Sequence, residues 1–320
     1  MKNIGVIGCG RWGAFLAWYA ATQCGHAVTL YGRECSASFQ GLRRTRANGM
    51  LTLPPQVALS SSLPGTVRDA EILIISIGAQ GLRAFLRELM ELDCAGKTLV
   101  LCMKGIETGT GLRLTQVARQ FFPKADLAIW VGPGHVQDFV RGVPNCMVID
   151  SDDPAVQERL VRVFGSRLIR FYLGEDLVGN EVGAASKNVI GIAAGMLDGL
   201  DKGALKGALM SRGTREIARL IRAMGGNERT AYGLAHLGDY EATLFSPHSH
   251  NRQFGEDFVR GVRYDKLAEG AATVTALVGL GARYRVELPI CCAVEAVIHG
   301  GEDPDKVLSN LFLRRIKTEF

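Results

Sequence analysis

Ile4-Gly5-Val6-Ile7-Gly8-Cys9-Gly10-Arg11-Trp12-Gly13 decides the fold of this chain. A short apolar run ends at Ile7, a G-x-G-x-x-G spacing follows at Gly8, Gly10 and Gly13, and an alanine-rich helical pattern continues over residues 12–24. Gly8 permits a tight turn off the strand, Gly10 lets a pyrophosphate come up to the backbone, and Gly13 allows close packing of helix on strand. The phosphates then meet the positive end of the helix, whose first N–H groups lack intrahelical acceptors. The glycine spacing alone is a weak signal. The strand before it and the helix after it supply the context it requires.

A second apolar run, Val28-Thr29-Leu30-Tyr31, ends in Gly32-Arg33. At that place an acidic residue would select a free ribose 2′-hydroxyl, whereas a guanidinium suits a 2′-phosphate and can stack on adenine. Arg33 therefore points to NADP, or to use of both NADP and NAD.

Further apolar runs at 71–75, 98–103, 127–131, 145–149 and 167–172 alternate with helical patterns such as 80–92. That rhythm predicts a parallel sheet covered on both faces. From Glu181 onward the chain turns to long segments rich in Ala, Leu and Gly with helical period, and no strand is expected. The expected architecture is an α/β Rossmann-type, doubly wound N-terminal domain over 1–178 and an all-α C-terminal domain over 179–320, with the boundary near 174–180. Residues 243–255 read as an ordered loop feeding a helix at 254–261.

Composition bounds the function. A chain of 320 residues with 47% hydrophobic and 22% charged residues has enough apolar side chains for two cores. The net charge of +5 is mild and scattered, which favours small anions over nucleic acid. Eight cysteines without a C-x-x-C spacing, two of them adjacent at Cys291-Cys292, read as reduced thiols. No leader-like apolar stretch is present, and no run approaches the ~20 apolar residues of a membrane span. A cytoplasmic protein is expected. His26, His236 and His299 have no companions at metal-ligand spacing, so no metal site is expected.

Lys187 sits among Gly183, Ala184, Ala185, Gly191, Ala193, Ala194 and Gly195, small residues that let backbones and ligands approach. A lysine so placed can be partly desolvated, as a general acid or base needs.

Several further motifs stand in a fixed order: Lys104-Gly105-Ile106-Glu107, Gly132-Pro133, Lys187-Asn188-Val189-Ile190 leading to Gly195 and Asp198-Gly199, Ser211-Arg212-Gly213, Leu237-Gly238-Asp239, Asn251-Arg252, Glu269-Gly270 and Leu288-Pro289-Ile290. Together with the fingerprint helix they make the chain similar, nearly end to end, to the NAD(P)-dependent glycerol-3-phosphate dehydrogenases of the bacterial type. The resemblance implies interconversion of sn-glycerol 3-phosphate and dihydroxyacetone phosphate, supply of glycerol 3-phosphate for phospholipid synthesis, a small phosphorylated substrate and a homodimer. It also implies roles for residues. Lys187 would exchange the proton of the C2 hydroxyl, Asp239 would position its ammonium, and Lys104 would be a second cation at the substrate. Gly132, Asn188, Thr243, Ser249, His250, Asn251 and Arg252 would line the substrate. Arg11 and Trp12 would touch the cofactor phosphates, while Lys104, Val136, Leu267 and Glu269 would border the cofactor, the last two near the nicotinamide.

The chain departs from the family in two places. His250 stands where the family has an arginine that grips the substrate phosphate, and imidazole offers no bidentate fork. Gly134 stands where the family has a hydroxyl residue, and Asp138 where it has Glu. Three readings stay open on the residues: the glycerol-3-phosphate dehydrogenase, a related NADPH-dependent 2-keto acid reductase of the ketopantoate type, and a non-catalytic NADPH-binding protein.

Overall fold

The computed structural model describes residues 1–316, 318 and 319. Two compact units divide the chain: Met1–Lys104 with Leu112–Glu181, and Gly105–Gly111 with the residues from Val182 onward.

The first unit holds one sheet of eight strands, β1 (Asn3–Ile7), β2 (Ala27–Tyr31), β3 (Val57–Ser60), β4 (Ile72–Ile75), β5 (Thr98–Leu101), β6 (Asp126–Val131), β7 (Asn145–Ser151) and β8 (Ile169–Leu173). They lie in the order β3-β2-β1-β4-β5-β6-β7-β8. Every residue of β4 and β5 is buried, which is why both read as unbroken apolar runs rather than alternating ones. The first six strands follow the doubly wound order, in which the winding reverses between β1 and β4 and a crevice opens at their carboxyl ends.

The sheet differs from the expectation in two respects. β3 lies in none of the apolar runs, because its four residues VALS are mostly only partly buried at the sheet edge. The sheet is not wholly parallel: β7 runs antiparallel to β6, with Ala128 opposite Ser151 and Val131 opposite Val148. A parallel neighbour needs a crossover, usually with a full helix, and this connection contains only the five-residue helix Val136–Val140. The helical pattern over 80–92 resolves into a 3-10 turn, Ala79–Gly81, and a helix, Leu82–Leu89.

From Val182 onward no named strand occurs among the described residues. The main helices are Leu177–Gly199, Lys206–Ala223, His250–Val259, Glu269–Tyr284, Pro289–Ile298 and Pro304–Phe312. Gly191, Gly195 and Gly199 recur every fourth residue along one face of the first of these. A Cβ on Gly195 would stand 1.8 Å from the Arg252 carbonyl oxygen, and one on Gly255 would stand 2.1 Å from that of Ile192. Helices Leu177–Gly199 and His250–Val259 thus meet backbone against backbone, and only glycine fits at the crossing.

The stretch 243–255 is not one loop. Glu241–Phe245 forms a π-helical turn, and the next helix starts at His250, four residues earlier than expected. Ser249 sets that start, its hydroxyl accepting the N–H of Arg252.

Candidate active site

In the first unit the fingerprint sits at the reversal between β1 and β4. Gly8 has φ +106°, and a Cβ there would stand 2.2 Å from the Ser76 carbonyl oxygen just past β4. A Cβ on Gly13 would stand 1.8 Å from the Gly8 carbonyl oxygen, so helix Arg11–Thr22 lies hard against the turn. By contrast nothing lies within 4 Å of the Cβ position of Gly10. The fold gives no steric reason for that glycine, which leaves open space in front of the N-cap. Gly10, the N-cap of the helix, supplies no side-chain cap. Trp12 Nε1 is buried without a hydrogen-bond partner, and its ring packs 4.9 Å from Phe15. Open space in front of a helix N-terminus with a glycine N-cap fits a pyrophosphate.

Arg11 is the exposed first residue of this helix, and Arg33 is exposed two residues beyond β2. Lys104 donates from Nζ to the Gly132 carbonyl oxygen at 2.7 Å. Val136 is buried at the start of its short helix. Gly134, with φ +146°, lies under Phe139: a Cβ would stand 2.2 Å from that ring, which stacks on Phe15 at 4.9 Å. The chain's departure from a hydroxyl residue here is therefore tied to the aromatic packing beneath it.

In the second unit Lys187, on helix Leu177–Gly199, puts Nζ 3.1 Å from Asp239 Oδ2 and 2.8 Å from Thr243 Oγ1. The side chains are 10% and 1% exposed for Lys187 and Asp239. Asp239 ends the 3-10 turn Leu237–Asp239, and Thr243 lies in the π-helical turn after it. Thr243 donates its own proton to the Asp239 carbonyl oxygen at 2.6 Å, so its lone pairs face the ammonium. It acts on Lys187 rather than as an open donor to substrate. An ammonium held this way is fixed in direction, as a proton donor requires.

The remaining residues form two groups. Asn251 Nδ2 donates to Asn188 Oδ1 at 3.0 Å, and Asn251 Oδ1 accepts the N–H of Gly270 at 2.9 Å, which fixes the start of the helix carrying Glu269. Ser249 is buried as a helix cap. His250 packs edge-on against Tyr264, with centroids 6.2 Å apart, and Leu267 is exposed. Arg252 is held in a charge cluster: Nη1 lies 2.6 Å from Asp198 Oδ2 and 2.9 Å from Glu256 Oε2, and Nε donates to the Ser246 carbonyl oxygen.

Two clusters are built around residues that no motif marks, Lys206 and His236. Lys206 is buried and donates to Asp198 Oδ2 at 2.6 Å and to the Leu244 carbonyl oxygen at 3.0 Å. With Arg252 it pins the turn that carries Thr243. Asp198 and Lys206 are eight residues apart across a helix break, a spacing that marks no shared face. The second cluster is His236, fully buried, with Nδ1 2.8 Å from the Gly183 carbonyl oxygen and Nε2 2.7 Å from the Tyr240 hydroxyl. Burial holds this imidazole down at about 4, against the opposing pull of the Gly183 hydrogen bond and the Asp239 carboxylate. It is neutral near pH 7.

Among the described residues no group of three His, Cys, Asp or Glu is placed to hold a metal ion, and all eight cysteines are free thiols. Among those residues no helix is long and apolar enough to cross a membrane.

Residues 3–157 match the family signature described as NAD-dependent glycerol-3-phosphate dehydrogenase N-terminus, and residues 176–309 match the signature for its C-terminus. The chain belongs to this family. It is 39% identical to the glycerol-3-phosphate dehydrogenase [NAD(P)+] of Azorhizobium caulinodans, covering 99% of this chain and 98% of that one. It is 35% identical to the enzyme of the same description from Rhodospirillum rubrum, over 100% and 94%. Among solved structures, the glycerol-3-phosphate dehydrogenase of Coxiella burnetii superposes with a TM-score of 0.91 at 24% identity, over 98% of this chain and 99% of that one, a likeness of fold. Membership makes this an NAD(P)-dependent family with a dinucleotide-binding fold, in agreement with the glycine fingerprint between β1 and helix Arg11–Thr22.

Proposed function

We infer that this protein interconverts sn-glycerol 3-phosphate and dihydroxyacetone phosphate with NAD(P), supplying glycerol 3-phosphate for phospholipid synthesis. The observation that carries the reading is the buried Lys187–Asp239 pair, 3.1 Å apart, with Thr243 completing the cradle of the ammonium. A sensor that only bound a dinucleotide would have no use for a buried, directed ammonium.

Gly8, Gly10, Trp12 and Gly13 would hold the pyrophosphate, with Arg11, Val136, Leu267 and Glu269 as further cofactor contacts. When bound, the reduced dinucleotide supplies the hydride that the C2 carbon receives. The ammonium of Lys187 gives a proton to the carbonyl oxygen, which becomes the C2 hydroxyl, and the neutral amine recovers a proton from solvent. Asp239 fixes the direction of the ammonium, and Thr243 narrows that direction further. Lys104, Gly132, Asn188, Ser249, His250, Asn251 and Arg252 are assigned to the substrate side, Arg252 through the charge cluster with Asp198 and Glu256. Arg33, exposed beyond β2, favours NADPH because a guanidinium complements a 2′-phosphate.

A second reading draws on His250, which packs on Tyr264 where the resemblance calls for a phosphate-gripping arginine. It makes the protein a 2-keto acid reductase with no requirement for a substrate phosphate. Following the absorbance of NADPH with dihydroxyacetone phosphate and, separately, with ketopantoate decides between them. Turnover that requires dihydroxyacetone phosphate supports the dehydrogenase; turnover on ketopantoate alone supports the reductase, and cofactor binding without either leaves a protein that does not catalyse. We assign NAD(P) binding chiefly to residues 1–178 and substrate binding and catalysis chiefly to 179–320. A homodimer and a cytoplasmic location belong to the same proposal, and sedimentation of the purified chain tests the first.

A further inference from the structure

His236 and Tyr240 bracket Asp239 in the chain, one residue before and one after the turn Leu237–Asp239. Both side chains are fully buried. The Gly183 carbonyl can only accept, so His236 Nδ1 carries the proton and Nε2 presents a lone pair to the Tyr240 hydroxyl. Gly183 lies four residues before Lys187 on the same helix, and its carbonyl is the one that α-helical geometry gives to the N–H of Lys187. His236 therefore grips the turn of helix that carries the ammonium. Through its other nitrogen it grips the residue that follows the carboxylate. The approach is close: a Cβ on Gly183 would stand 3.0 Å from His236 Cβ, so the glycine lets the imidazole lie against the helix.

We propose that His236 is a positioning residue, a neutral imidazole that clamps the turn bearing Asp239 to the helical turn bearing Lys187 and so sets the separation of that pair. The proposal rests on the reading of Lys187 as the proton donor. The titratable groups around the imidazole are Asp239, Lys187 and Tyr240, with Glu216 and Cys291 beyond the tyrosine ring. Because His236 is uncharged at neutral pH, replacing it removes no charge from the neighbourhood of Lys187. A change in the titration of Lys187 in such a variant must come through geometry, by letting Asp239 draw away. A carboxylate beside an ammonium favours the charged form, so its withdrawal lowers the pKa of the lysine and exposes more free amine at a given pH.

The test measures the rate at which acetic anhydride labels Lys187, by peptide mass spectrometry across pH, in the full-length protein and in His236→Ala, His236→Asn and Tyr240→Phe. His236→Ala is expected to label about tenfold faster at a fixed pH below the midpoint, the increase in free amine that follows when the midpoint falls by about one pH unit. His236→Asn, whose amide can still donate to Gly183 but does not reach Tyr240, is expected to shift by less than His236→Ala and about as far as Tyr240→Phe. Tyr240→Phe is expected to move in the same direction as His236→Ala and by less, and it carries the test if the alanine variant does not fold. In parallel, kcat should fall about tenfold in His236→Ala with cofactor Kd unchanged, and recover in part in His236→Asn, a split that general loss of stability does not produce. Wild-type labelling midpoints in both His236→Ala and Tyr240→Phe overturn the proposal. Labelling needs no turnover, so a protein inactive on dihydroxyacetone phosphate would refute the proposed reaction while the labelling still decides the role of His236.

Discussion

Thr243 Oγ1 accepts from Lys187 Nζ at 2.8 Å while its own proton is committed to the Asp239 carbonyl oxygen, so one hydroxyl ties the ammonium to the backbone of its counter-ion. Thr243→Val keeps the shape and deletes both bonds. A hydrogen bond to a charged group is worth about 1.5–3 kcal/mol, so kcat should fall by at least about tenfold with cofactor affinity unchanged. Steady-state kinetics beside a cofactor titration checks this.

Asp239→Asn removes the carboxylate from a buried ammonium. Breaking a buried pair by removing one partner costs about 3–5 kcal/mol, unless the lysine deprotonates instead. The expected outcome is a clear loss in denaturant midpoint at neutral pH that shrinks as the pH rises toward the lysine range. A loss equal at both pH values would remove the ion pair from the explanation.

His236 makes stability depend on pH. Its folded pKa of about 4 lies below the ordinary 6.5, so the unfolded chain binds a proton in that interval and the folded chain does not. Its contribution is therefore present above pH 6.5 and is lost as the pH falls toward 4, at about 1.4 kcal/mol per unit. His236→Asn removes this slope. The difference between the two proteins' unfolding free energies should narrow on acidification, although buried Glu181, Glu216 and Asp150, each raised by desolvation, titrate with the opposite sign in both.

Gly134→Ser would restore the family's hydroxyl residue, yet its Cβ would meet the Phe139 ring at 2.2 Å at a φ that side chains rarely adopt. Strain of this kind costs about 1–3 kcal/mol, so a lower Tm is expected rather than a gain in substrate affinity. A higher kcat/KM at unchanged Tm would show that the aromatic cluster yields.

Arg33→Glu should move the ratio of efficiencies from NADPH toward NADH, since a carboxylate repels a 2′-phosphate and accepts from a 2′-hydroxyl. An unchanged ratio would place cofactor selection elsewhere.

The doubly wound first unit is legible in the sequence because its signal is local: an apolar strand, three glycines at fixed spacing, and a helix. β3 escapes because four half-buried edge residues carry little pattern. The reversal of β7 escapes because strand direction depends on the connection and leaves no mark on the strand's own residues. At the site, Lys187 and Asp239 are legible through the order of motifs. The small residues around Lys187 mean something narrower than the sequence suggests, since Gly195 answers to the Arg252 backbone. His236 is invisible because one partner is a main-chain carbonyl 53 residues away, which leaves no side-chain signature.

In the proposed reaction the ammonium of Lys187 delivers the proton. The most direct test of that step is the kcat of Lys187→Ala with NADPH and dihydroxyacetone phosphate, measured with and without added ethylamine. A fall of about 10²-fold or more with intact NADPH binding, partly restored by the amine, is the predicted result. Turnover equal to that of the wild type would contradict it.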